Sequence, residues 1–282
     1  MPPQTTAVNP SFNIRSGGSG TTGARLFIEA GPMGISIAVL NAENCFSDLV
    51  VYPLPAELTR EQQAEELVSI LKQEKMLSGS YKKTDIIWAF PESILVPNEF
   101  MNSETGSAML NLVYGDLDAG PVRSDFMFKQ NIHDLYRVPA ELAAFVSAQF
   151  PLAYQTHQYS LLPELAGQEG NMLCVIFYNN RFTAMLQKGG KLQLIQHFCY
   201  REPDDAAYHL LNICRSFEAD ADSLELRLYG MVDSSSGLYS ALYKYFLNIH
   251  LEPLPENAVY AEAIKEQPPH FFSHLFRFAL CV

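Results

Sequence analysis

Basic residues are scarce in this chain and never cluster. Nineteen Lys and Arg stand against thirty-one Asp and Glu, a formal net charge of −12 and a pI near 5.0. Nucleic acid and anionic membranes are held by clustered cations that displace counterions from phosphate, so neither is an expected partner. Metal patterns are missing too: there is no CxxC and no HExxH, and the His270 and His274 pair, four apart, lacks a third ligand. No metal site is read. No G-x-S-x-G elbow or Walker sequence occurs, and no residue is assigned to catalysis. No window approaches the roughly 18 consecutive apolar residues that span a bilayer, and no charged start precedes an apolar stretch, so neither a transmembrane segment nor a secretory signal is expected. The five cysteines are odd in number, widely spaced and mostly within apolar segments. They read as reduced core residues of a cytoplasmic protein.

What is present is a repeat. Leu26 to Asn41 and Leu173 to Lys188, 147 residues apart, share a plan: an apolar strand, a polar or glycine turn, and a second strand with a hydroxyl near its start, Ser36 and Thr183. A third strand, an amphipathic helix, a buried strand and a further helix follow each. Two similar α/β domains facing a cleft are expected, each with a mixed sheet.

Residues 1 to 25 are rich in Pro, Gly, Ser and Thr without hydrophobic period, and read as a flexible tail. The first domain is placed at 26 to 165 and the second at 166 to 282. The first opens with strands at 26 to 30, 35 to 41 and 46 to 52, an amphipathic helix from about Leu58 to Leu77, and an inner strand over 85 to 90. Helices at 103 to 114 and 139 to 150 flank a strand at 132 to 138, with residues 116 to 131 open between an extra hairpin and part of the sheet. The second half gives strands at 172 to 178, 182 to 188, 192 to 200, 224 to 229 and 248 to 254, and helices at 203 to 217 and 236 to 247. The aromatic C-terminus is expected to dock on a domain surface or return as a strand.

This duplicated order resembles the actin, sugar-kinase and heat-shock chaperone ATPase superfamily, a ribonuclease H-like fold with two five-stranded mixed sheets. The start of the first copy and the ending from Leu251 are similar, more specifically, to bacterial proteins of a domain-of-unknown-function family with an actin-like fold. In active members an Asp precedes a glycine-rich first turn, where it holds hydrated Mg²⁺ while backbone N–H groups approach phosphate. Here Glu29 stands near the acid's place, Gly31 and Gly34 keep the turn open, and Ser36 could reach a phosphate. The second turn, Asp-x-Gly in the superfamily, is Asn179-Asn180-Arg181 with Thr183 after it. The adenosine turn retains Gly230, with Asp233 and the following serines as a helix cap or an anion site.

Glu92 is a further candidate acid, and Asp204, Asp205, Asp220 and Asp222 read as solvated or helix-capping groups. With both acids replaced or lost, the resemblance implies a catalytically degenerate binding or scaffold module without cofactor. Distant relatives of this plan in pilus assembly and type II secretion hold protein partners. Its partner would be an unidentified protein, or a second copy of the chain in a homo-oligomer. The alternative is an Mg-ATP-dependent ATPase or kinase using Gly31, Gly34, Ser36, Asn179, Asn180, Thr183 and Gly230. A sensor that binds a small ligand without turnover is a third reading. A cleft filled by Tyr178, Arg181, Phe182 or Met231 would favour the scaffold.

Overall fold

The computed structural model describes residues 8–16, 21–102, 105–115, 120–166 and 170–282. The first half runs β1 (Phe12–Ile14), β2 (Arg25–Gly31), β3 (Gly34–Leu40), β4 (Cys45–Pro53), α1 (Arg60–Gln73), β5 (Lys83–Trp88), β6 (Ser93–Pro97), α2 (Thr105–Tyr114), β7 (Val122–Met127), β8 (Ile132–Arg137), α3 (Ala140–Gln149), β9 (Tyr154–His157) and α4 (Gln158–Leu161). The second runs β10 (Met172–Phe177), β11 (Arg181–Lys188), β12 (Lys191–Cys199), α5 (Pro203–Ser216), β13 (Glu225–Gly230), α6 (Gly237–Tyr243), β14 (Asn248–Leu251), β15 (Val259–Tyr260), α7 (Glu262–Lys265) and α8 (Ser273–Cys281).

The repeat is expressed as two sheets of one topology. Strands β4-β3-β2-β5-β9 and β12-β11-β10-β13-β14 lie in the same order. In each, the first two pairings are antiparallel and the next two parallel. The first five-stranded frame is extended to seven because β1 pairs with β4 at Leu49 to Val51 and β15 pairs with it at Cys45 and Phe46.

Strand β1 corrects the reading of residues 1 to 25 as a tail without order. Phe12 packs edge-on against Phe272, with ring centroids 4.9 Å apart and planes at 82°. Burial against a partner distant in sequence supplies what the local composition does not. Residues 1–7 and 17–20 of that segment lie outside the described residues. Residues 122 to 137 form the extra hairpin β7-β8, which β6 completes as a three-stranded antiparallel sheet with α2 against it. Residues 116–119 lie outside the described residues.

The helices start where their sequences cap them. Thr59 and Gln62 form a reciprocal capping box that opens α1, and at α5 Asp205 accepts the Glu202 amide while Pro203 takes the first helical position. The expected helix from Leu58 to Leu77 ends earlier, at Gln73, and a 3₁₀ turn over Lys75–Ser78 follows. The aromatic C-terminus is α8, which docks rather than pairing as a strand. Phe272, Leu275, Phe276 and Ala279 pack on the first sheet, and Phe278 packs with residues of the second. These aromatics therefore bridge the two sheets.

Of the cysteines, Cys174 and Cys214 are core residues whose thiols burial pushes up to about 12 and about 11. Cys199 and Cys281 are exposed, contrary to the reading of the cysteines as core residues. Both end their elements, where an apolar run gives way to solvent. No helix among the described residues is long and apolar enough to cross a membrane.

Candidate functional site

Strand parity decides what faces the space between the domains. On β2, Leu26, Ile28 and Ala30 point into the core under α1 and α3, so Phe27 and Glu29 take the other face, toward α8. On β10, Leu173, Val175 and Phe177 point toward α5 and α6, so Cys174 and Ile176 take the interdomain face. Residues paired across an antiparallel ladder share a face. Ser36 therefore accompanies Glu29, and Thr183 accompanies Ile176.

The two faces meet through a closed polar bridge. Gln158, the first residue of α4, donates from Nε2 to Glu29 Oε1 at 2.8 Å and to the Tyr178 hydroxyl at 2.5 Å. Tyr178 donates to the same Glu29 oxygen at 3.2 Å. The Gln158 carbonyl accepts the Thr183 hydroxyl at 3.1 Å. Glu29, Gln158 and Thr183 are all buried. Burial, then the Glu29 charge, raises the Tyr178 phenol well above its ordinary range, so it stays a donor.

The Thr183 proton is spent on Gln158, so the contact of its oxygen with His197 Nδ1, at 3.3 Å, is donated by the imidazole. His197 is neutral, because burial and then Arg181 lower its pKa to about 4. His274 Nε2 faces Glu29 Oε2 at 3.5 Å. Replacing Thr183 by valine strands the Gln158 carbonyl and the His197 N–H. A loss of about 1–3 kcal/mol is expected in urea unfolding, and a change within error would show that the bridge is dispensable.

Above this floor lies a cavity of about 230 Å³. Its walls are the turn from Gly31 to Gly34, Tyr178 and Asn179, Gly230 and Met231, and the aromatic rings of Phe12, Phe271 and Phe272. Among the residues singled out from the sequence, Gly31, Gly34, Ser36, Asn179 and Gly230 come together here. Thr183 is buried beneath in the bridge, and Asn180 is not part of the lining; its Oδ1 is buried without a hydrogen-bond partner. Tyr178 and Met231 do line the space, whereas Arg181 does not and Phe182 is buried in the core of the second domain.

Three amides around the cavity are committed to strand and turn pairing. Those of Ala89, Tyr178 and Met231 donate to the carbonyls of Ala30, Arg181 and Phe177.

The remaining candidate acids lie elsewhere. Glu92 is paired with Arg60. Asp205 accepts the amides of Arg201 and Glu202, both at 3.0 Å, as a cap, and Asp220 accepts the Asp222 amide within a loop. Ser236 caps α6, and Asp233 holds the Ser235 amide in the preceding turn. His133 and Asp134 point to opposite faces of β8: His133 reaches Ser124 and Asn98, and Asp134 is buried against His157. Sequence reasoning missed His157, Gln158 and His197. They follow no motif, and their partners lie on other strands.

Among curated proteins none matches the sequence. A family model described as "Protein of unknown function (DUF3822)" matches residues 20–249. Among solved structures, a Bacteroides thetaiotaomicron protein with actin-like ATPase fold and unknown function superposes with a TM-score of 0.72 at 18% identity, covering 92% of this chain and 96% of that one. A chain of the PilM-PilN type IV pilus biogenesis complex gives 0.60 at 14% identity, covering 91% and 98%. The cytoplasmic domain of EpsL, an inner membrane component of the type II secretion system of Vibrio cholerae, gives 0.45 at 14%, covering 92% and 95%.

Proposed function

The chain belongs to the DUF3822 family of proteins of unknown function and has an actin-like ATPase fold, and we propose that it is a binding or scaffold module without ATPase activity. One observation carries this reading. The Glu29–Gln158–Tyr178 bridge joins the two turns that in an active relative would hold a metal and phosphates, and a tyrosine hydroxyl stands against the acid. A carboxylate already accepting two hydrogen bonds and facing His274 is poorly placed to hold hydrated Mg²⁺.

The likeness to a chain of the PilM-PilN complex adds support for work through a protein partner. Phe126 and Phe128, largely exposed on the β7-β8 hairpin, offer apolar contact for such a partner or for a second copy. Free thiols fit a cytoplasmic setting.

The competing reading, Mg-ATP in the cleft, draws on the five candidate residues that line the cavity. Calorimetry decides between them. Titration of ATP or ADP to about 1 mM, with and without Mg²⁺, is expected to give no heat and no thermal shift. Metal-dependent binding tighter than about 100 μM, with the melting-temperature rise that linkage demands, would overturn the scaffold reading.

A further inference from the structure

The cavity has a chemistry of its own that nucleotide binding does not use. Its walls are largely aromatic and aliphatic, and two of its residues, His197 and His274, each carry a ring nitrogen without a hydrogen-bond partner, Nε2 and Nδ1 respectively. His274 is only 5% exposed, so bulk water does not satisfy its free nitrogen.

The proton positions give both nitrogens a direction. His197 donates through Nδ1 to Thr183, which leaves a lone pair at Nε2. His274 Nε2 faces the Glu29 carboxylate, and with the proton there Nδ1 is likewise an acceptor. Glu29 is the third acceptor lining the site, beside the less buried Ser36 and Asn179. All three groups accept hydrogen bonds.

We propose that this cleft binds a flat, mainly apolar small molecule carrying an N–H or O–H donor. Its body is held between Phe12, Met231 and Phe272, and its donor meets the free ring nitrogens of His197 and His274. Anions are disfavoured by the neighbouring Glu29 carboxylate. The size is adequate: a dry cavity of about 150 Å³ admits benzene, and this one is about 230 Å³. Apolar walls with a few placed polar groups are the usual make-up of a small-molecule site. The site is separate from the scaffold reading, since a protein without ATPase activity could hold such a ligand or hold none.

Indole and benzofuran test the proposal, because they share a shape and differ in one N–H. The full chain, labelled with ¹⁵N in its histidine rings, is titrated with each by NMR. Indole is expected to bind saturably at submillimolar concentration, to shift the His197 or His274 ring signals, and to bind about tenfold more tightly than benzofuran, as one hydrogen bond of about 1.4 kcal/mol requires. Met231→Trp, which fills the space, is expected to abolish binding. His197→Phe is expected to reduce the preference for indole while keeping the cavity apolar, and thermal melts confirm that both variants fold. Equal affinity for the two probes, no saturable binding at 5 mM, binding undiminished in Met231→Trp, or displacement of indole by inorganic phosphate would each overturn the proposal.

Discussion

Replacing Asp134 by alanine is expected to lower the unfolding free energy by about 3–5 kcal/mol, the cost of stranding one member of a buried ion pair. Asp134 and His157 are both fully buried. Asp134 Oδ2 accepts His157 Nδ1 at 2.9 Å and the Ser160 hydroxyl at 3.0 Å, and Oδ1 accepts Ser93. The other ring nitrogen, Nε2, donates to the Phe90 carbonyl at 2.9 Å. A second acid, Asp125, takes the His157 amide at 2.7 Å and the Thr156 hydroxyl at 2.9 Å. The cluster ties β6, β7, β8, β9 and α4 together, and through α4 it sets Gln158 against Glu29. Urea unfolding measures the loss, and one below about 1 kcal/mol would mean that the interior relaxes around an uncompensated imidazolium. The double variant with His157→Phe should lose less than the sum of the single losses, because the stranded charge is gone.

The same cluster gives a pH signature. Both nitrogens of His157 face acceptors, Asp134 and the Phe90 carbonyl, which favours the imidazolium, although the Tyr159 amide also points at Nδ1 from 3.4 Å. Burial opposes that charge, but Asp134 outweighs it and raises the pKa above the ordinary 6.5. A raised pKa means that the folded protein holds its proton longer than the unfolded chain. The stabilisation is complete below about 6.5 and is lost as pH rises through the folded value. His197 runs the other way. Its pKa, lowered to about 4, makes stability fall as pH drops from 6.5 toward 4. These two groups together place a maximum near pH 6.5, and the double variant Asp134→Ala with His157→Phe, which leaves neither partner stranded, should lose the alkaline limb and keep the acid one.

The duplication was legible because apolar strands announce themselves by period and by turns. Ser36 and Thr183, equivalent in the repeat, are each the third residue of the corresponding second strand. Glu29 could be named from its place before the turn. What could not be read was the company these residues keep. Gln158 and His157 sit in a short β9-α4 passage without hydrophobic period, and their partners are 129 and 23 residues distant. Phe12 belongs to a stretch whose composition argues for disorder, yet its partners Phe271 and Phe272 lie at the other end of the chain. Strand β8 is legible at 132 to 138 and the hairpin is one of two options for 116 to 131, but β6 escapes because its short run, buried at only two of five positions, gives no continuous apolar signal. Arg181 and Phe182 illustrate the converse. A bulky turn suggests a blocked cleft, but parity sends Phe182 into the second core.

Gly230→Ala is expected to cost about 3 kcal/mol or more, although the substitution adds one carbon. Gly230 has φ +80°, and a Cβ there would lie 2.1 Å from the Phe177 carbonyl oxygen. That carbonyl also accepts the Met231 amide, so it cannot move away without breaking the end of the β10-β13 pairing. Strain at a left-handed position and a backbone clash both exceed what a flexible side chain could absorb. The glycine is therefore explained by strand packing, with no ligand required. Gly34 is held similarly, with φ +135° and the Tyr52 carbonyl 1.9 Å from an added Cβ. Loss of a cleft ligand in a variant of either glycine would thus report unfolding, not recognition. Ser36→Ala, also at the cavity wall, should leave urea stability within about 1 kcal/mol of the parent and serves as the contrasting probe. A Gly230→Ala protein as stable as the parent would show that β13 can slide away from β10, and the strand-packing account of this glycine would then have to be abandoned.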